Sequence, residues 1–287
     1  MGIMKIFAFK VSPRNDWTAS FEHAFRVANE KPLDKRLREL PSTRIRLEEV
    51  FFSQSGLIFA NFVLFRTGSG PAIVSDSTRL SEIDIRDDQY FGEDTACLYD
   101  PTSSYILIQY NHHGPKASAI QQYLSYDEDD QNHSYVFAPK LSQSSEEKIR
   151  NLAVVSRVEV SFAVPDLLNY TNPRDLSFSQ AIEVARINGA ETVSLVIGNR
   201  RGLALQIVKD LIAGLQRTAS VGEGITKLAI KAQVDDDTPR ETIDLIADRL
   251  FTQVDVHLGA GRRYSVSDRW NTIRTTLDHW TKSGLLT

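Results

Sequence analysis

Cysteine occurs once in the 287 residues, as Cys97, so no disulfide can form within the chain and no thiolate-rich zinc site can be built. A lone thiol among apolar neighbours behaves as a small hydrophobe, and Cys97 is expected to be a buried structural residue. Long apolar runs are also missing. No stretch of about 18 uninterrupted apolar residues is present, so no membrane-spanning helix is expected and membrane partners are excluded. Positive charge does not dominate: Lys and Arg number 33 against 37 Asp and Glu, a formal charge of -4. A protein coated in positive charge is thereby excluded, while a local basic face remains open. Phosphate-loop endings of the GK[ST] type, GxGxxG, HExxH and GxSxG are all absent, and no metal or cofactor is expected.

What is present reads as an ordinary globular chain, 41% hydrophobic and 24% charged, long enough to bury a core without external staples. Residues 1–11 carry lysine and a short apolar run that soon meets Ser12, Pro13 and Arg14. This fits a first strand rather than a signal peptide, and a cytoplasmic protein is expected. The fold class predicted is α+β, with an antiparallel β-rich N-terminal half containing a helix, followed by an alternating strand and helix C-terminal half. In the first half, residues 4–11, 44–52, 57–66, 81–86, 95–100 and 104–110 are short runs rich in Ile, Val, Phe, Tyr and Thr, separated by turn formers. One helix is expected early, capped by Asp16, with Trp17, Phe21, Phe25 and Ala28 on its buried face.

The second half predicts a helix opened by Ser144 and Glu147, a strand at 157–164, a helix from about 178 to Asn188, and a strand at 192–197. An amphipathic helix at 203–215 and a strand at 225–234 follow. Thr238, Pro239 and Glu241 supply a cap, a first-turn proline and a capping-box acid, predicting a helix to about Phe251. A last helix at 266–281 places Trp270, Ile273, Leu277 and Trp280 on one side. The acidic run YDEDDQNH at 126–133 is the candidate boundary between a domain at 1–130 and a second at 131–287.

Chemistry-bearing motifs are few. GNRRG at 198–202 lies between a strand and a helix, where backbone amides and two arginines suit a phosphate. The adjacent histidines of NHHGP at 111–115 need carboxylates from elsewhere to hold a metal, and His23, His133, His257 and His279 show no ligand spacing. Carboxylates at Asp84, Asp87, Asp88, Glu93 and Asp94, and at 235–237, read as solvated turns. Lys227 and Lys231 have no glutamate two residues before them, so the nuclease pattern of Glu-x-Lys is missing. Basic residues stand out more than acids: Lys31, Lys35, Arg36, Arg38, Arg44 and Arg46 form one group. A second comprises Arg200, Arg201, Lys209, Arg217, Lys227 and Lys231, and Arg262-Arg263 follows a Gly-Ala-Gly turn. The candidate nucleic-acid or anion-binding residues are Arg200, Arg201, Lys209, Lys227, Lys231, Arg262 and Arg263, able to track a phosphate backbone without reading bases.

The run TACLYD at 95–100, then ILIQYN at 106–111 with Gly114-Pro115 and a helix reaching Tyr123 and Leu124, resembles a family of uncharacterised bacterial proteins. The later block at 225–250 is similar to that family's C-terminal part. Members of the family often lie near mobile-element and phage-defence genes, so the resemblance implies antiviral defence as a context and no particular reaction. The function expected is a non-enzymatic defence component that binds nucleic acid, a phage component or a protein partner through its basic patches, as a homo-oligomer. The alternatives are a metal-dependent nucleic-acid-processing enzyme and a self-assembling scaffold.

Overall fold

A computed structural model describes residues 1–13, 18–40, 43–66, 70–125, 135–163, 184–185, 187–190, 192–206, 208–209, 225–233, 239–259 and 261–286. The larger sheet has eight strands, all paired antiparallel. In chain order they are β1 (Gly2–Pro13), β2 (Leu37–Leu40), β3 (Thr43–Phe52), β4 (Ile58–Arg66), and, after the separate hairpin β5 (Ala72–Ser75) and β6 (Thr78–Glu82), β7 (Phe91–Asp100) and β8 (Tyr105–Tyr110). The last two are β9 (Tyr135–Pro139) and β14 (Phe251–Val256). The spatial order is β14-β1-β8-β7-β4-β3-β2, with β9 continuing along the β1 edge that β14 occupies. A second sheet of four strands has the order β11-β10-β12-β13, from β10 (Val154–Ala163), β11 (Thr192–Gly198), β12 (Ile225–Gln233) and β13 (Glu241–Asp244). The α+β class and the strand-rich first half are as predicted.

Alternating side chains bury both faces of the larger sheet. On one face, Phe9, Ile58, Phe62, Cys97 and Ile106 meet α1 (Phe21–Glu30) and α2 (Ala117–Ser125). Phe21 anchors this side through edge-on contacts to Tyr99 and Tyr135, each 4.8 Å between centroids. Cys97 is fully buried here, and burial pushes its thiol pKa up, away from the reactive thiolate. On the other face, Met4, Ile6, Leu98 and Leu107 meet α4 (Val266–Lys282). The apolar side of α4 is the predicted one, Ile273, Leu277 and Trp280 being buried. Its end is set by Gly284 at φ +68, a left-handed position that glycine adopts without strain, and by a Leu285 N–H to Trp280 carbonyl bond of 2.9 Å.

The early helix begins at Ser20, whose hydroxyl accepts from the His23 amide, while Asp16 and Trp17 lie outside the described residues. The helix α3 (Gln143–Arg150) is capped by Ser142, two residues before the expected Ser144. The helices expected at 178–188 and 203–215, the acidic run at 126–133 and the acids at 235–237 fall largely or wholly outside the described residues.

The predicted helix from Thr238 to Phe251 is not formed. Glu241–Asp244 is instead strand β13, paired to β12, and Phe251 opens β14. The reason lies in packing: Ile243, only 2% exposed, covers the cluster of Val158, Val160, Leu228 and Ile230, and the free edge of β12 supplies the backbone partners that a helix would have supplied internally. The capping chemistry is real but sits further along. Asp244 Oδ1 accepts from the Ile246 and Ala247 amides at 3.0 and 3.1 Å and closes a single turn. From that turn the chain returns to the larger sheet: the Ser145 hydroxyl donates to Asp248 at 2.8 Å and the Leu250 amide to the Lys140 carbonyl at 2.7 Å. Thus β9, β14 and α4, all beyond residue 130, complete the sheet that residues 2–110 begin.

Because Ile243 is buried as a strand residue, Ile243→Ala is expected to cost about 2–5 kcal/mol in denaturant unfolding. A cost under about 0.5 kcal/mol would mark the position as an exposed helical one.

Candidate nucleic-acid interface

The period of two along β10 and β12 sorts the second sheet by chemistry. Val158, Val160, Leu228, Ile230 and Ala232 are buried on one face, and the residues between them carry the polar groups of the other. Register then brings charges from separate strands together: Arg157 stands opposite Lys231, Ser161 opposite Lys227, and Lys231 opposite Thr242 of β13. Arg157, Lys227, Lys231 and Thr242 line a shallow open hollow of about 260 Å³. Three cations, Arg157, Lys227 and Lys231, share it with one carboxylate, Glu159.

Glu159 bridges two of the cations, accepting from Lys227 Nζ at 2.8 Å and from Arg157 Nη2 at 3.1 Å. Its carboxyl is held below the usual range, chiefly by the Lys227 hydrogen bond and then by the charges of Lys227 and Arg157. Among the described residues, the exposed Lys231 has no ion-pair partner. The hollow therefore carries an excess of two positive charges, which suits a phosphate better than an apolar or cationic ligand.

The GNRRG loop follows β11 beside Arg157. Its backbone is already committed: Asn199 N–H donates to the Ser156 carbonyl, Gly202 N–H to Asn199, Leu203 N–H to Val155, and Arg201 N–H to Asn199 Oδ1, all within 3.0 Å. It is therefore a tight turn rather than a cradle of free amides, and any anion must be met by side chains. Arg200 and Arg201 are exposed, and Arg240 joins them by donating to the Arg200 carbonyl at 3.2 Å. Lys209 follows Val208, which is buried in the apolar cluster, so it is carried on the segment packed against the opposite face.

Arg262 and Arg263 belong to the larger sheet. Arg262 sits at φ +55 in the turn after β14. Arg263 is bound to Asp94 of β7 at 2.6 Å, and the same carboxylate holds the buried Arg269 of α4 at 2.5 Å. The first basic group is similarly occupied. Arg36 donates to the Lys31 and Asn29 carbonyls, Arg38 to the Tyr123 carbonyl, and Arg44 and Arg46 pair with Glu39 and Glu48. Of the sequence candidates, Lys227 and Lys231 are thus brought together, with Arg200 and Arg201 on the loop leaving the same sheet. Arg262, Arg263 and Lys209 lie elsewhere. Sequence reasoning missed Arg157, Glu159 and Arg240. The alternation RVEVS in β10 against KLAIK in β12 carried the signal, but only the pairing of those strands reveals their common face.

Among the described residues, no group of three His, Cys, Asp or Glu side chains converges as a metal site. No helix of the described residues is long and apolar enough to cross a membrane. A family of unknown function, DUF6731, matches residues 15–279, nearly the whole chain. The chain belongs to the DUF6731 family. A comparison with curated proteins finds no match. In this DUF6731 member the matched span includes the whole second sheet, every element lining the hollow, and all strands of the larger sheet except β1.

The Glu159 bridge has a pH signature. A carboxyl whose folded pKa is depressed stabilises the fold above its unfolded value of about 4.3, and that contribution disappears as pH falls through the folded value. An NMR titration is expected to show Glu159 protonating at lower pH than exposed glutamates, and Lys227→Ala is expected to move it back toward about 4.3. An unchanged midpoint in that variant would mean that the bridge does not form in solution.

Proposed function

We propose that this protein is a non-enzymatic nucleic-acid-binding component of a bacterial antiviral defence system, contacting the phosphate backbone through the open face of the second sheet. The observation that carries this reading is the convergence of Arg157, Lys227 and Lys231 around one hollow with a single opposing carboxylate. Backbone contact of this kind gives affinity without sequence preference and is weakened by salt through counterion release. The defence context is supported by the resemblance of the 95–124 and 225–250 segments to a family found near phage-defence genes. Arg200, Arg201 and Arg240 extend the cationic surface beyond the hollow.

At low salt, Lys227→Glu combined with Lys231→Glu is expected to lower affinity for a labelled oligonucleotide at least tenfold and to reduce the salt slope by about 2, one for each lost contact. Charge reversal at Arg200 and Arg201 is expected to weaken binding in the same direction, and Lys209→Glu to leave it unchanged. Failure of the unaltered protein to bind any nucleic acid at low salt would overturn the reading.

A second reading, homo-oligomerisation, is favoured by one observation: β14 ends the order of the larger sheet, leaving one edge of that strand without a partner among the described residues. Such an edge is a template for another strand. Light scattering is expected to give a mass above 32.3 kDa if the edge is used between copies, and a monomer at working concentration would remove this reading.

A further inference from the structure

Residues 3, 5 and 7 of β1 point to the same side of the larger sheet as Phe9 and Val11, and their register partners on β14 do likewise: Phe7 stands opposite Phe251, Lys5 opposite Gln253 and Ile3 opposite Asp255. On the other flank of β1, Lys5 stands opposite Tyr110 of β8. The helices on this side are placed elsewhere, α1 over β3 and α2 over β9, β2 and β3. Three adjoining aromatic rings are left at the surface, with Tyr110 47% and Phe251 43% exposed and Phe7 between them. Phe7 lies 6.0 Å from Tyr110 and 5.8 Å from Phe251.

Two ammonium groups accompany the rings. Lys5 Nζ lies 4.1 Å from the centre of the Phe251 ring and 4.8 Å from that of Phe7. Lys116 Nζ lies 4.7 Å from the Tyr110 ring and is held there by the Asn111 and His112 carbonyls at 2.8 and 2.6 Å. Single exposed hydrophobes are common on protein surfaces, but contiguous rings mark contact sites. The cations decide what kind of contact. An apolar partner laid over this patch would strip water from two ammonium groups and give nothing back. A ligand that alternates flat π systems with phosphates satisfies both features at once: bases stack on the rings and phosphates meet the lysines.

We infer that this uncovered part of the larger sheet, built on Phe7, Tyr110 and Phe251 with Lys5 and Lys116, is a stacking platform for unpaired bases, so that the ligand is a single-stranded nucleic acid. The inference rests on the nucleic-acid binding proposed above and adds the substrate class, because a duplex keeps its bases stacked on one another and offers no free face to the rings. Lys5 occupies the ring faces in the unliganded protein, and its flexible four-carbon stem lets the ammonium swing to a phosphate as a base arrives. Gln253, opposite Lys5, presents both a donor and an acceptor to a base edge.

The test compares a labelled polythymidine strand with a duplex containing it, by fluorescence anisotropy at low salt, for the unaltered protein, Phe251→Ala, Tyr110→Ala and the Lys227→Glu/Lys231→Glu variant. Loss of either ring is expected to weaken single-strand binding about tenfold and to leave duplex binding unchanged, while the lysine variant weakens both. Tyr110→Phe, which keeps the ring, is expected to retain single-strand affinity, and circular dichroism checks each fold. Ring variants that bind the single strand as tightly as the unaltered protein would overturn the platform and leave the function standing. Absence of any binding by the unaltered protein would overturn both.

Discussion

Strand β1 has two edges and three partners, and the rest of the molecule is arranged around that fact. One edge is taken by β8, and the other is shared end to end by β14 and β9. The early hairpins therefore cannot complete their sheet until the chain has passed through the second sheet and returned with β14 and α4. The return is secured by buried contacts. Asp94 on β7 holds Arg269 of α4, which is 2% exposed, and removal of the carboxylate would leave a desolvated guanidinium without its partner. The turn at 244–248 and the α3 entry are tied by Ser145 and Asp248, so the two segments that run between the sheets are bonded to each other.

The same arrangement decides which cations are available. Arginine is abundant in the first half, yet Arg36, Arg38, Arg44 and Arg46 are occupied by carbonyls and carboxylates within the fold, and Arg263 by Asp94. On the second sheet, Arg157, Lys227 and Lys231 share one carboxylate, and Lys231 keeps its charge facing solvent. Helices that cover one end of the larger sheet leave Tyr110 and Phe251 exposed at the other, with Phe7 half-buried between them. On the proposed reading, phosphates meet the cations of the second sheet and the two lysines beside the rings of the larger sheet, where bases stack.

Much of the fold was legible because apolar alternation and turn formers act locally. β3, β4, β7, β8 and the buried side of α4 follow from short-range patterns that the tertiary structure keeps. The segment at 238–251 shows where such reading ends. Its capping residues favour a helix, but Ile243 is needed over the second core and β12 offers an unpaired edge, so long-range burial overrode the local preference. The candidate site was legible only in part for a related reason. Lys227 and Lys231 announce a cationic strand, but their pairing with Arg157, and that of Phe7 with Phe251, are fixed by register between segments far apart in sequence.

Contact of nucleic acid with the open faces of both sheets can be read directly by photocrosslinking a thiouridine-substituted single strand to the whole chain and sequencing the modified peptides. Adducts are expected in β12, around Lys227 and Lys231, and in β1, β8 or β14, at Phe7, Tyr110 or Phe251. Adducts confined to other surfaces, or none at low salt, would contradict that contact.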